Sequence, residues 1–191
     1  MNIEQASEKI INSVRGWVGE NKKLIVGIEG YSGAGKTTLL KHLSTTYSFI
    51  QPLYMDDFVA TANTKEQLEP QIESNINHLS LEWAPKDGLE KLRKAIIDFK
   101  QNGEKSKVLI VEGIFLFHPD VLDGLWDRKI YLDADKQKAD ERRVVREKER
   151  WGEKYFPETH PDSFARLFKL AYHKYEELYK PKEQADLVVT L

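Results

Sequence analysis

Residues 30–38, Gly-Tyr-Ser-Gly-Ala-Gly-Lys-Thr-Thr, carry the most specific chemical pattern in the chain. Gly30, Gly35, Lys36 and Thr37 fill every fixed position of the G-x-x-x-x-G-K-[ST] phosphate loop, and Gly33 adds a third glycine inside it. Glycines let the backbone curl until its N–H groups converge on one point, with no Cβ between them and an anion. The segment Gly30, Tyr31, Ser32, Gly33, Ala34, Gly35, continued by Lys36, Thr37 and Thr38, therefore reads as a cradle for nucleotide phosphates. In such a loop the lysine reaches the β/γ-phosphates and the threonine hydroxyl ligates Mg²⁺, roles that fall here to Lys36 and Thr37.

Two acidic positions complement the loop. Asp56-Asp57-Phe58 closes the apolar stretch 48–55, and paired carboxylates at the end of a strand lie where α/β sheets place their ligands. One of them, Asp56, is suited to hold or deprotonate an attacking hydroxyl, with Asp57 and Phe58 beside it on the substrate side. Glu112-Gly113 ends the apolar run 107–111, and a carboxylate there, beside a phosphate loop, resembles the acidic second nucleotide motif, in which it is directed to Mg²⁺. An acid buried there needs a partner: Mg²⁺, Lys36 or Thr37. Basic chemistry is concentrated in 136–151, where Arg142, Arg143, Arg146 and Arg150 alternate with acids. That pattern suits a solvated helix laced with ion pairs, or a lid whose arginines close on ATP. Arg143 is assigned to the nucleotide and Arg146 to charge on the transferring group. Trp83 offers a ring for stacking on a planar substrate, whereas His78 and His118 read as surface histidines.

Elements that position these groups follow from periodicity. A helix is expected over 2–20, stopped near Gly19 and Asn21, and another after the phosphate loop through Thr45. Strands are expected at about 24–29, 49–55, 107–112, 128–133 and 186–190. Amphipathic helices are expected over 89–99 and 164–178, and the polar stretch 59–78 reads as a flap over a pocket. Strands alternating with helices imply a parallel sheet covered on both faces. The fold class is thus α/β: a P-loop NTPase-type three-layer fold with a five-stranded parallel sheet and a helical lid at about 136–160, one domain across 1–191. The 191 residues carry a formal charge of −2 and no cysteine. Nothing in that balance selects nucleic acid or a membrane surface as partner, thiolate metal sites and disulfides are excluded, and a cytoplasmic location is the expectation. No apolar run approaches the ~20 residues of a bilayer span. A homodimer stays open.

Taken together, GIEGYSGAGKTTL, YMDDF, VEGIFLF, IYLD and RRVVRE, in that order, resemble the group of P-loop kinases containing uridine kinase, nicotinamide riboside kinase and phosphoribulokinase. The resemblance implies an ATP- and Mg²⁺-dependent phosphotransferase acting on a hydroxyl of a small molecule. In it Asp56 matches the acid that activates the acceptor, Glu112 the metal- or substrate-directed carboxylate, and Arg143, Arg146 and Arg150 the lid. The chain departs from uridine kinases in lacking a compact Arg-Gly-Arg in the lid. A nucleoside-like acceptor is the first expectation; nicotinamide riboside, another sugar or alcohol, or ATP hydrolysis without an acceptor are the alternatives. A guanine-specific switch would need an Asn/Thr-Lys-x-Asp motif that the chain lacks. A nucleoside monophosphate kinase would need more arginines than Arg93 between the second and third strands.

Overall fold

The computed structural model describes residues 1–19, 23–59, 86–101, 107–160 and 163–191. Five strands, β1 (Leu24–Gly30), β2 (Ile50–Tyr54), β3 (Val108–Glu112), β4 (Arg128–Asp133) and β5 (Leu187–Thr190), form one sheet in the order β2-β3-β1-β4-β5. Every pairing is parallel. The α/β P-loop architecture expected from the alternation of elements is the one observed. The apolar run of β1 is buried at all seven positions, as a central parallel strand covered by helices on both faces must be.

Alternation along the strands divides the core into two layers. Val26, Ile28 and Ile110 face α1 (Ile3–Trp17) and α2 (Lys36–Thr46), which contribute Ile10, Ile11, Val14, Leu39, Leu40 and Leu43. Ile25, Leu109 and Val111 face the other side, where α4 (Lys86–Gln101) brings Leu92, Ile96 and Phe99 and α7 (Phe164–Tyr179) brings Tyr172 and Tyr175. The helix α1 begins on a capping box in which Asn2 and Gln5 satisfy each other's backbone N–H groups.

Three short connections matter for the site. The second strand stops at Tyr54, earlier than expected, and α3 (Met55–Val59) follows at once, so Asp56 and Asp57 occupy a helical first turn. There the N-terminal backbone dipoles favour negative charge. After β3, Phe115 adopts φ +56 and the chain passes through α5 (Pro119–Leu122) into β4. The charged stretch becomes α6 (Lys136–Trp151), capped by the Asp135 carboxylate, which accepts from the N–H groups of Gln137 and Lys138. Among the described residues no helix is long and apolar enough to cross a membrane. The expected flap at 59–78, apart from Val59, and the segment containing Trp83 lie outside the described residues.

Candidate active site

Parallel register brings the carboxyl ends of β1, β2 and β3 together: Glu112 pairs with Ile28 on one side and Tyr54 on the other. The phosphate loop leaves β1 at Gly30 and feeds α2 at Lys36. Gly33 takes φ +83, and a Cβ there would collide with the carbonyl oxygen of Ala139 on α6, so glycine is required both by conformation and by the close approach of that helix. Gly113 plays a comparable part after β3: a Cβ there would lie 2.8 Å from the Met55 Sδ. Its absence lets the start of α3 close against the end of β3.

Lys36 is only 8% exposed. Its Nζ donates to the carbonyls of Gly30 at 2.8 Å and Tyr31 at 3.0 Å, which leaves one ammonium N–H for the mouth of the loop. Thr37 Oγ1 donates to Glu112 Oε1 at 2.9 Å, so of the partners anticipated for that buried acid the threonine holds the direct bond. Burial raises the Glu112 carboxyl above its ordinary value; Lys36 and Thr37 oppose the rise, and the charges of Asp56 and Asp57 add to it. Burial lowers the Lys36 ammonium, and the charges of Glu112, Glu29 and Asp56 support it. Lys36 and four carboxylates, Glu112, Glu29, Asp56 and Asp57, thus share a field at the strand ends, with the charge of Arg146 opposing that of Lys36. Asp56 and Asp57 themselves are exposed.

The expected site residues separate into two groups. Ser32 accepts from Arg146 Nη2 at 3.0 Å, and the Gly33 carbonyl accepts from Arg142 Nη1 at 2.9 Å. Arg146, expected at the transferring group, therefore does stand on the phosphate loop, and Arg142 joins it one turn away. Arg143 is a correction. It is 1% exposed, its Nη2 donates to Asp140 at 2.9 Å and its Nη1 to the Ala165 carbonyl at 3.2 Å, and its guanidinium lies 5.5 Å from the centre of the Phe168 ring. It packs α6 against α7 and does not face the nucleotide side. The Tyr31 ring is likewise turned into the protein, edge-on to Tyr172, so only its backbone belongs to the cradle. Ala34 is fully buried, and Thr38 is exposed on α2. Phe58 packs half-buried against the apolar core near α3 and anchors that turn. Trp83 lies outside the described residues. His118 corrects a second reading: it is 1% exposed, its ring 4.5 Å from Tyr179 and stacked on Tyr175.

Glu29 was not anticipated. It precedes the phosphate loop on β1 and is fully buried; its Oε2 accepts from Phe117 N–H at 2.6 Å and Tyr175 O–H at 2.7 Å. Its Oε1 has no hydrogen-bond partner among the described residues. A lone acid inside the run Leu-Ile-Val-Gly-Ile-Glu-Gly was the available signal. Burial pushes its carboxyl up to about 7, against the pull of Tyr175, Phe117, Lys36 and Lys129. The sign of the linkage follows. A carboxyl raised in the folded state contributes stability in full below its unfolded value of 4.5, and that contribution is lost as pH rises through about 7. The rise is worth about 3 kcal/mol. Glu29→Gln is expected to flatten this loss: urea unfolding of wild type and variant at pH 4.5, 6 and 8 should give curves whose stability difference grows in the variant's favour with pH. A difference independent of pH would refute the assignment.

A parallel sheet whose first strand runs through a glycine loop into a lysine- and threonine-started helix defines a P-loop protein of the α/β three-layer type. A family model described as an AAA domain matches residues 26–158, and the chain belongs to that family. It is 27% identical over 187 residues to the uridine kinase of Ligilactobacillus salivarius (strain UCC118), an alignment covering 89% of this chain and 86% of that protein. It is 28% identical over 131 residues to human nicotinamide riboside kinase 1, covering 65% of this chain and 66% of that protein. In fold it is similar to a solved structure described as a possible uridine kinase from Bacillus stearothermophilus, with a TM-score of 0.58, 18% identity, and coverage of 98% of this chain and 99% of that one.

Proposed function

We propose that this protein is an ATP-dependent kinase that transfers the γ-phosphoryl group to a hydroxyl of a nucleoside-like metabolite, in the manner of a uridine kinase. The observation that carries the reading is the Thr37 Oγ1–Glu112 Oε1 contact of 2.9 Å beside the buried Lys36 ammonium. A hydroxyl and a carboxylate oxygen are hard donors of the kind Mg²⁺ takes, one or two from protein and the rest from water and phosphate. Mg²⁺ held by Thr37 and Glu112 would neutralise phosphate charge there. The remaining work belongs to the chain. The backbone N–H groups of residues 31–36 and the start of α2 receive the phosphates. Lys36 and Arg146 offset the charge that develops on the transferred group. Asp56 orients the acceptor hydroxyl and takes its proton as the oxygen–phosphorus bond forms and the bond to the leaving diphosphate breaks.

The similarity to the bacterial uridine kinase over 89% of the chain supports a nucleoside acceptor. The human nicotinamide riboside kinase supports a second, narrower reading in which the acceptor is nicotinamide riboside. An ATP-consumption screen across uridine, cytidine, nicotinamide riboside, pantothenate-like alcohols and simple sugars separates them, with product mass determined for each hit. The proposal predicts acceptor-dependent ATP consumption and a monophosphorylated product. ATP turnover indifferent to every acceptor would remove it in favour of an ATP-hydrolysing module.

A further inference from the structure

We propose that Asp140 is a positioning residue that sets α6 on the phosphate loop, acting through the side chain of Tyr31; the proposal rests on the reading of this loop as the ATP site. Three elements meet at its carboxylate. Oδ1 accepts from the Tyr31 hydroxyl at 2.8 Å and from Arg143 Nη2 at 2.9 Å, and Oδ2 pairs with Lys169 Nζ of α7 at 2.8 Å. Lys169 also binds Glu158, at 2.9 and 3.1 Å, and so ties in the segment that follows α6. Burial would raise the Asp140 carboxyl, but the bonds from Lys169 and Tyr31 and the Arg143 charge outweigh it and hold it below its ordinary value.

Tyr31 makes this cluster part of the site. It is the second residue of the phosphate loop, yet its ring is 3% exposed and wedged against Tyr172 and Phe168 of α7. Its hydroxyl therefore links the loop backbone directly to the helix that carries Arg142 and Arg146. Those two arginines touch Gly33 and Ser32 through single hydrogen bonds from exposed, flexible side chains. Such contacts do not fix the rotation of a helix. Charge-assisted bonds at a half-buried carboxylate do, because breaking them leaves Lys169 with Glu158 alone and Arg143 with only the longer 3.7 Å contact to Glu147. With Asp140 in place, the face bearing Arg142 and Arg146 is presented to the loop before any ligand arrives.

The test uses Tyr31→Phe, which removes one hydroxyl and keeps the ring packing. In the ligand-free full chain, amide hydrogen exchange at residues 136–151 and 32–35 should speed up roughly tenfold, the low end for a bond to a charged acceptor, while β1 and β3 keep their protection. Unchanged exchange in α6 overturns the inference, whatever the ligand proves to be. In parallel, the dissociation constant for Mg·ATP is measured in wild type, Tyr31→Phe, Arg146→Ala and the double variant. Tyr31→Phe should weaken binding about fivefold to tenfold, and the double variant should be no weaker than Arg146→Ala alone. Additive losses would mean the tyrosine acts independently of the arginine and would also overturn it. A wild type that binds no ATP defeats the reading of the site, and the exchange measurement then decides the inference by itself.

Discussion

Lys36→Ala is expected to lower kcat by roughly 10³-fold, the scale of removing one preorganised charge-stabilising donor from a site of low dielectric. The Lys36 ammonium is held in place by the carbonyls of Gly30 and Tyr31, and the charges of Glu112, Glu29 and Asp56 favour its protonated form despite burial. Alanine removes the cation whose charge lowers the Glu112 and Glu29 carboxyls. The expected outcome is therefore a double one: lost stabilisation of the transferring phosphoryl group and a further rise of the Glu112 and Glu29 carboxyls. Lys36→Arg should rescue little, since a planar guanidinium cannot reproduce two bonds to adjacent carbonyls together with a third directed outward. Steady-state kinetics with saturating acceptor checks the loss, and circular dichroism melting checks that the fold persists. Turnover within tenfold of wild type would contradict the role given to Lys36.

Asp56→Asn should lower kcat by roughly 10²–10⁴-fold, the span of general acid–base assistance, with the dissociation constant for ATP changed little. Asparagine keeps the size and hydrogen-bonding capacity of the side chain and loses its ability to take a proton. Asp56 lies in the exposed first turn of α3, so the substitution leaves no buried group unpaired and stability should hardly move. Calorimetric ATP binding alongside pre-steady-state turnover separates the two effects. An Asp56→Asn enzyme with normal turnover would move the acceptor-side chemistry elsewhere.

What could be read from the residues alone follows the range of the interactions involved. The phosphate loop is a local device: spacing, glycine and the flanking apolar runs define it within a dozen residues, and its backbone appears where expected. Glu112 was legible for a similar reason, since parallel strands end in register and an acid closing one of them must lie near the loop. The arginines of α6 were harder. Arg142, Arg143 and Arg146 sit in an alternating Arg/Glu pattern with no apolar stripe strong enough to fix which face turns inward. The partners that α6 meets lie outside the helix: Tyr31 of the phosphate loop on one side, and Ala165, Phe168 and Lys169 of α7 on the other. His118 was misjudged because its burial depends on the turn at Phe115 bringing it beneath Tyr175 and Tyr179. Glu29 belongs to the same class: its partners, Phe117 and Tyr175, come from distant segments.

The central claim is that the Gly30–Thr37 loop is the donor half of a phosphotransferase site. Its most direct test follows the γ-phosphoryl group of ATP labelled with ¹⁸O at the γ-position, incubated with Mg²⁺, the protein and the acceptor that scores highest in the screen. The account predicts that the label appears in a phosphate ester of the acceptor, formed in step with ADP, and that Lys36→Ala slows its appearance roughly 10³-fold. Label recovered only as inorganic phosphate, at a rate the acceptor does not change, would contradict it.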